Sequence, residues 1–249
     1  MYFFCSDFHL GSPNIQDSSA RSREDKIVRW LKKVRSENQV KAIFFVGDLF
    51  DFWFEYKTVI PKGFSRFFTE LHLLREMNVE LHIFTGNHDL WMFDYFVNEF
   101  QAKVYHQPIE ICLSGIDFYI GHGDGLGPGD KGYKFMKRIF KNPVCQFLFK
   151  WIHPDLGIRL AQFLSNRSRK SQNDTQIFLG EEKEWLCQYS LYKMKQKPNI
   201  QYFIFGHRHL AIDFSLDDTG KRYINLGAWF EECTFARFDG RELTIERFE

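Results

Sequence analysis

The chain has 249 residues, with 33 Lys+Arg against 32 Asp+Glu, 44% hydrophobic and 26% charged content. That balance excludes a disordered or collagen-like polymer and allows one large domain burying roughly 70–75% of its unfolded surface. Apolar runs such as Ile43-Phe44-Phe45-Val46 fall far short of the roughly 18 residues of a membrane-spanning helix.

In chain order, Tyr2 to Ser6 reads as a buried strand, and Arg21 to Glu37 as a helix with Ile27, Trp30, Leu31 and Val34 on one face. The pattern repeats: a strand over Ala42 to Val46, a helix marked by Phe64, Phe67, Phe68, Leu71 and Leu74, and a strand over Val79 to Phe84. Such alternation predicts βαβ units and a mainly parallel sheet. Ile109 to Leu113, Ser114-Gly115 and Asp117 to Ile120 predict a hairpin. The C-terminal part predicts strands over Gln201 to Phe205, Ile212 to Leu216, Arg222 to Leu226, Thr234 to Phe238 and Glu242 to Arg247, with turns at Asp217 to Gly220 and Asp239-Gly240. This order fits an α/β fold of two packed mixed β-sheets flanked by helices, in a single domain over 1–249. Residues 126–195 break the β pattern with helical periodicity and are expected to form a helical insertion within that domain.

Charge and aromatic content are distributed unevenly. Between Leu126 and Thr175 the chain carries ten basic and three acidic residues, a local +7 against −6 for the remainder. Phe 29, Trp 6 and Tyr 10 make 18% of the chain, more than a core usually needs, so some rings are expected to line a lipid or ligand surface. Lys131, Lys134, Arg138 and Lys141 share one face of a predicted helix, and a basic amphipathic helix fits an anionic lipid interface. The plain alternative for this segment is a solvated charged face over an ordinary core. The five cysteines (Cys5, Cys112, Cys145, Cys187, Cys233) lack CxxC spacing and are read as buried free thiols of a reducing cytoplasm. The opening residues show no basic n-region or cleavage pattern, so no secretory leader is expected.

The chemistry-bearing residues follow the strands. Asp7-Phe8-His9, Gly47-Asp48-Leu49-Phe50-Asp51, Gly86-Asn87-His88-Asp89, Gly121-His122-Gly123-Asp124 and Gly206-His207-Arg208-His209 stand at or just beyond predicted strand ends, where loops of an α/β sheet converge on ligands. Carboxylate, amide oxygen and imidazole without thiolate suit manganese, iron or zinc at a catalytic site. The donor set is long enough for two cations sharing a bridging carboxylate, an arrangement used for attack on phosphorus. His72, His82, His106 and His153 lie outside the blocks and are assigned structural roles. Asp51 is read as either a supporting partner or a cap, and Trp53 and Trp91 as packing beneath the site.

These ordered blocks resemble the calcineurin-like metallophosphoesterases, whose fold is an α-β-β-α sandwich. The resemblance implies one divalent cation held by Asp7, His9, Asp48 and His209, and another by Asp48, Asn87, His122 and His207, with Asp48 bridging. It implies that His88 acts on the phosphoryl oxygens or the leaving group and that Asp89 orients it. Within that superfamily, the starts Tyr2 to Gly11 and Gly47 to Trp53, and the spacing from His122-Gly123-Asp124 to Asp130 and Tyr133, resemble bacterial UDP-2,3-diacylglucosamine hydrolases of lipid A synthesis. That resemblance implies cleavage of the substrate pyrophosphate to UMP and 2,3-diacylglucosamine 1-phosphate, with manganese, at the cytoplasmic face of the inner membrane. It also implies a helical cap that receives acyl chains, with Asp130, Tyr133, Arg167, Arg169 and Lys170 as substrate-binding residues. Two positions depart from the pattern of those hydrolases: His88 stands where they often carry Arg, and Arg208 where they often carry Thr. Arg208 is expected to point outward or to touch substrate.

The alternatives are a general metal-dependent phosphodiesterase or phosphatase on soluble nucleotides, favoured by His88 in the generic block, and a non-catalytic partner-binding protein on the same fold. The latter predicts erosion of ligand positions, yet all seven are present. Nucleic acid is not an expected partner, since the basic segment is local and the remainder acidic.

Overall fold

Alternate residues of the central strands enter different layers, and this fixes the architecture. The computed structural model describes residues 1–11, 20–127, 131–171, 177–178, 180–230 and 232–249, and the side chains of these except 20, 131, 162 and 164–171. The first half runs β1 (Tyr2–Cys5), α1 (Ala20–Ser36), β2 (Ala42–Val46), α2 (Ser65–Glu76), β3 (Glu80–Phe84), α3 (Tyr95–Phe100), β4 (Lys103–Tyr105), β5 (Ile109–Leu113) and β6 (Ile116–Ile120). Four helices follow: α4 (Lys131–Phe140), α5 (Pro143–Lys150), α6 (Pro154–Ser171) and α7 (Trp185–Gln196). The chain then completes both sheets with β7 (Ile200–Phe205), β8 (Ala211–Ser215), β9 (Arg222–Leu226), β10 (Thr234–Phe238) and β11 (Leu243–Arg247).

One sheet has the order β11-β10-β1-β2-β3-β4 and the other β5-β6-β7-β9-β8. β1 to β4 run parallel, as do β6, β7 and β9, whereas the β1/β10, β10/β11, β5/β6 and β8/β9 pairs are antiparallel. Phe3, Cys5, Ile43 and Phe45 pack with Trp30, Phe67 and Leu71 under α1 and α2. Their neighbours Phe4, Phe44 and Val46 point the other way, into the layer between the sheets, with Phe118, Ile120, Ile204 and Ile224. Phe4 stacks on Phe44 at 4.8 Å and on Phe118 at 5.8 Å, joining the two sheets. Phe203 and Phe205 face α7, where Leu186 and Cys187 close the outer layer. The result is the α-β-β-α sandwich expected from the strand and helix order.

α3 and β4 escape the sequence periodicity because they are six and three residues long. What holds α3 is remote in sequence. Asp94 at its N-cap makes no side-chain cap, and Glu55 takes that place. The Glu55 carboxylate accepts the backbone N–H groups of Phe93, Asp94 and Tyr95 at 2.8, 2.8 and 3.1 Å on one oxygen, and the Trp53 indole N–H at 3.0 Å on the other. Glu55→Gln keeps the shape but sets an amide N–H against either the indole or the three backbone donors. A loss of about 2–3 kcal/mol is expected, the range for hydrogen bonds to a charged acceptor. Urea unfolding measures it, and a loss under about 0.5 kcal/mol would remove Glu55 as the anchor of α3.

His82 on β3 is a structural histidine. It stacks on Phe44 at 4.2 Å and contacts the Tyr105 hydroxyl at 3.0 Å. Burial, then the charge of Lys103, pushes its pKa down to about 4, with Glu80 opposing. The unfolded chain therefore binds this proton more tightly, so stability is lost as pH falls from about 6.5 towards 4. His82→Phe is expected to flatten that acid limb by on the order of 2–3 kcal/mol between pH 7 and 4. Parallel unfolding curves for the variant and the parent across this range would refute the assignment.

The expected insertion divides into two kinds of helix. α7 belongs to the sandwich, whereas α4 to α6 leave large apolar side chains in solvent, among them Phe135, Val144, Phe147, Leu148, Trp151, Leu156 and Phe163. Ten of the sixteen exposed large apolar side chains of the described residues lie on or directly after these three helices. Cys5, Cys187 and Cys233 are buried as expected, but Cys112 is exposed and Cys145 half-buried. Cys112 differs because its side chain lies on β5, an edge strand of alternating exposure.

Candidate metal centre

The five loops converge because each leaves the carboxyl end of a parallel strand or its immediate continuation. Asp7 and His9 follow β1, Asp48 follows β2, Asn87 and His88 follow β3, His122 follows β6, and His207 and His209 follow β7. Their backbones are unusual: Asp7, His9, Asp48, His207 and His209 all have positive φ, between 45° and 70°. Non-glycine residues in this region cost on the order of 1–2 kcal/mol each and persist where surrounding contacts over-determine them. The flanking glycines allow close approach. A Cβ on Gly86 would fall 2.1 Å from Asp48 Oδ1, and one on Gly47 would fall 2.4 Å from His122 Nδ1.

Of the three groups of possible ligating atoms among the described residues, one is His9, Asp51 and His88, and the other two share Asp48. Of these two, Asp7, His9, Asp48 and His209 form one, and Asp48, His122 and His207 the other, with donor atoms within each group inside 4.8 Å of one another. Asn87 joins the second group, its Oδ1 lying 3.3 Å from His122 Nε2. In the first, His9 Nε2 and His209 Nε2 face each other at 3.3 Å, and Asp7 Oδ1 lies 3.2 Å from His209 Nε2. In the second, His122 Nε2 lies 3.3 Å from Asp48 Oδ2.

Each carboxylate spends one oxygen on the backbone and turns the other inward. Asp7 Oδ2 accepts the His207 N–H at 3.0 Å, and Asp48 Oδ1 accepts the His88 N–H at 2.9 Å. His122 Nδ1 is bonded to the Val46 carbonyl at 2.9 Å, which directs Nε2 to the cluster. The test of fit is Asp7 Oδ1: it is buried and receives no well-aligned hydrogen bond, a situation a bound cation resolves. Burial pushes His9 down to about 4; burial, then the charge of His122, does the same to His207, so both rings are neutral, the ligating form. Burial opposes a charged His122, but Asp48, Asp7 and Asp124 outweigh it and raise its pKa to about 10. Asp48 is correspondingly held well below the usual carboxylate range, burial being overcome first by His122 and then His88. Oxygen and nitrogen donors in this arrangement fit divalent cations, whose binding would release the proton that the carboxylates hold on His122.

His88 and Asp89 have separate tasks. His88 is half-buried, its ring perpendicular to His9 at 4.7 Å, and its Nδ1 lies 3.0 Å from the Asp51 carbonyl and 3.7 Å from Asp51 Oδ1. Asp89, expected to orient His88, instead accepts the N–H groups of Gly86, Leu49 and Phe50 at 2.7, 2.8 and 3.4 Å. It thereby staples the two loops carrying Asp48 and Asn87, because a buried carboxylate satisfies backbone donors before a ring beside it. Burial, then the charge of Asp48, raises its pKa to about 7. The ring-orienting contacts come from Asp51.

The remaining expected residues divide. Tyr133 donates its hydroxyl proton to Asp124, beside His122. Asp130 lies outside the described residues, as do the side chains of Arg167, Arg169 and Lys170 on α6. The basic side of α4 turns inward: Lys134 binds the Gly127 carbonyl, Lys137 the Asp124 carboxylate, and Lys141 the His106 carbonyl at 3.2 Å. Phe135, Met136 and Ile139 face outward with Arg138, so the outer surface of α4 is mainly apolar and its lysines latch the helix to the cation loops. Arg208, expected to point outward or to touch substrate, is mostly buried and pairs with Glu184. Glu55 and Glu184, each isolated in sequence, gave no pattern by which to find them.

The family model for calcineurin-like phosphoesterase matches residues 2–211. A UDP-2,3-diacylglucosamine hydrolase of Porphyromonas gingivalis is 37% identical, covering 99% of this chain and 97% of that protein. Proteins of the same name from Stutzerimonas stutzeri and Psychromonas ingrahamii are 26% and 24% identical; they cover 77% and 97% of this chain, and 78% and 95% of their own lengths. The family match takes in every donor from Asp7 to His209, and the chain therefore belongs to the calcineurin-like phosphoesterases, a family of metal-dependent hydrolases.

Proposed function

We propose that the protein hydrolyses the pyrophosphate of UDP-2,3-diacylglucosamine to UMP and 2,3-diacylglucosamine 1-phosphate. The observation that carries this reading is the junction of two chemistries. Tyr133 and Lys137 latch α4 to Asp124 beside His122, and the same helix opens a run of exposed apolar side chains through Phe147, Trp151 and Phe163. Exposed apolar surface on this scale marks a binding surface, and acyl chains are the occupant that a diacylated sugar supplies. The near-full-length similarity to a UDP-2,3-diacylglucosamine hydrolase supports the same substrate.

Asp7, His9, Asp48 and His209 would hold one cation and Asp48, Asn87, His122 and His207 the other, with manganese as the assigned ion. Bound divalent ions lower the pKa of water and neutralise phosphoryl oxygens. Asp48, common to both donor groups, would bring their cations to the same phosphoryl group, and His88, steadied by Asp51, would support the phosphoryl charge or protonate the leaving oxygen. Tyr133, with Asp130, Arg167, Arg169 and Lys170, is assigned to the sugar and phosphate of the substrate. No described helix is long and apolar enough to cross a membrane. We assign a peripheral contact at the cytoplasmic membrane face, made by the apolar surface of α4 to α6 more than by their charge.

The test is UMP release from UDP-2,3-diacylglucosamine with Mn²⁺, beside a deacylated analogue and p-nitrophenyl phosphate. Acyl-dependent release is expected. Hydrolysis of the simple ester alone would replace this reading with a general phosphoesterase.

A further inference from the structure

Arg208 lies between two candidate ligands, yet nothing in the chemistry above uses it. Its Nε approaches both oxygens of Glu184, at 3.1 and 3.0 Å, and the two side chains are 12% and 3% exposed. Glu184 is the N-cap residue of α7, but its carboxylate does not cap that helix. The carboxylate is directed to Arg208 instead. The next two residues also press on the cation loops: the Trp185 ring meets His207 edge-on at 6.0 Å, and Leu186 lies so close under Gly123 that a Cβ there would be 3.1 Å away. Three consecutive residues at the start of α7 thus bear on the loops after β6 and β7.

The loop they hold needs such support. His207 and His209 both have positive φ, 70° and 54°, and they diverge, His207 to the group with His122 and His209 to the group with Asp7. One short loop therefore serves both cation groups, and a shift of about 0.5 Å disturbs both at once. The His207 N–H to Asp7 fixes its start, at 3.0 Å. The Arg208 side chain ends in the pair with Glu184.

We propose that Arg208 is a positioning residue: anchored by Glu184, it fixes the loop bearing His207 and His209 and so ties the start of α7 to both cation groups. This rests on the two-cation reading of the site but not on the identity of the substrate. Its test uses the metal-free full-length protein titrated with cobalt(II) and followed by visible absorption. Glu184→Gln and Arg208→Met are each expected to weaken cobalt binding about 10- to 100-fold, the usual effect of losing a residue that orients a ligand. The double variant is expected to be no weaker than the worse single one, because either change breaks the same tie. Arg208→Lys, which keeps a cation within reach of Glu184, is expected to recover part of the affinity. With p-nitrophenyl phosphate, kcat at limiting Mn²⁺ should fall in the single variants and be restored by excess Mn²⁺, with KM unchanged.

Cobalt affinity unaltered in both single variants, with or without a lower Tm, would overturn the proposal by making the pair merely structural. Effects that multiply in the double variant would overturn it by separating the two residues. A rise in KM alone would move Arg208 onto the substrate. If Arg208→Met does not fold, Glu184→Gln and Arg208→Lys carry the same comparison. The cobalt titration involves no substrate, so a failed lipid assignment leaves its result readable.

Discussion

Asp48→Asn is expected to lower turnover by on the order of 10⁴-fold and to empty at least one cation position. Several kcal/mol of charge stabilisation depend on the bound ions, and each 1.4 kcal/mol or so is a factor of ten in rate. Asp48 is common to both donor groups, and its Oδ2 lies 3.7 Å from His9 Nε2 and 3.3 Å from His122 Nε2. Asparagine is the informative substitution. It tolerates the backbone φ of 52° at this position, keeps an oxygen for the His88 N–H, and replaces the charged oxygen turned to the donor groups with a neutral amide. Alanine would add backbone strain and leave the His88 N–H without its acceptor, mixing folding with function. Elemental analysis beside the UMP assay gives the answer, and an Asn variant retaining two equivalents of metal and full turnover would end the bridging assignment.

His88→Ala is expected to separate catalysis from metal retention, lowering kcat by about 10²- to 10⁴-fold while both ions stay bound. The ring lies next to the first donor group, and its contacts run to Asp51. Its backbone N–H, the group that does serve Asp48, survives the substitution. Loss of metal in this variant would place His88 among the ligands. Unchanged kcat with raised KM would instead make it a binding group. Asp51→Asn should act in the same direction as His88→Ala but more weakly, since Asp51 is placed to act on the site through the His88 and His9 rings it contacts.

Much of the scaffold was legible from Tyr2 onward. Runs such as Ala42–Val46 and Ile200–Phe205 are buried on both faces and bounded by glycine at their carboxyl ends, and such runs announce themselves without any long-range information. The site was legible for a related reason. Each ligand lies within a few residues of a strand end, so locating the strands also locates the donors. The apportioning of those donors between two cations came from family resemblance; the structure puts Asp7 near His209 and His122 near His207.

Side-chain direction was another matter. The basic stripe of Lys131, Lys134, Arg138 and Lys141 looked ready for an anionic surface, yet Lys134 and Lys141 reach inward to Gly127 and His106, Lys137 beside them reaches Asp124, and Arg138 alone of the described stripe side chains stays exposed. Helical periodicity gives the angle between faces of a helix but not which face meets the body. Glu55 and Asp89 were equally opaque: each carboxylate gathers backbone donors, Glu55 from about forty residues along the chain and Asp89 mostly so.

By itself the sequence determined the layer order, the strand ends and the kinds of atom offered there, because period-two burial, glycine punctuation and donor chemistry are local properties. Only the tertiary structure decided that Asp48 stands between two donor groups, that the lysines of α4 are latches, and that Arg208 belongs to Glu184. The cation groups join segments up to about 200 residues apart, the latches and the Arg208 pair nearer ones, and which segments meet is set by sheet order and packing, for which no single stretch of chain carries the information.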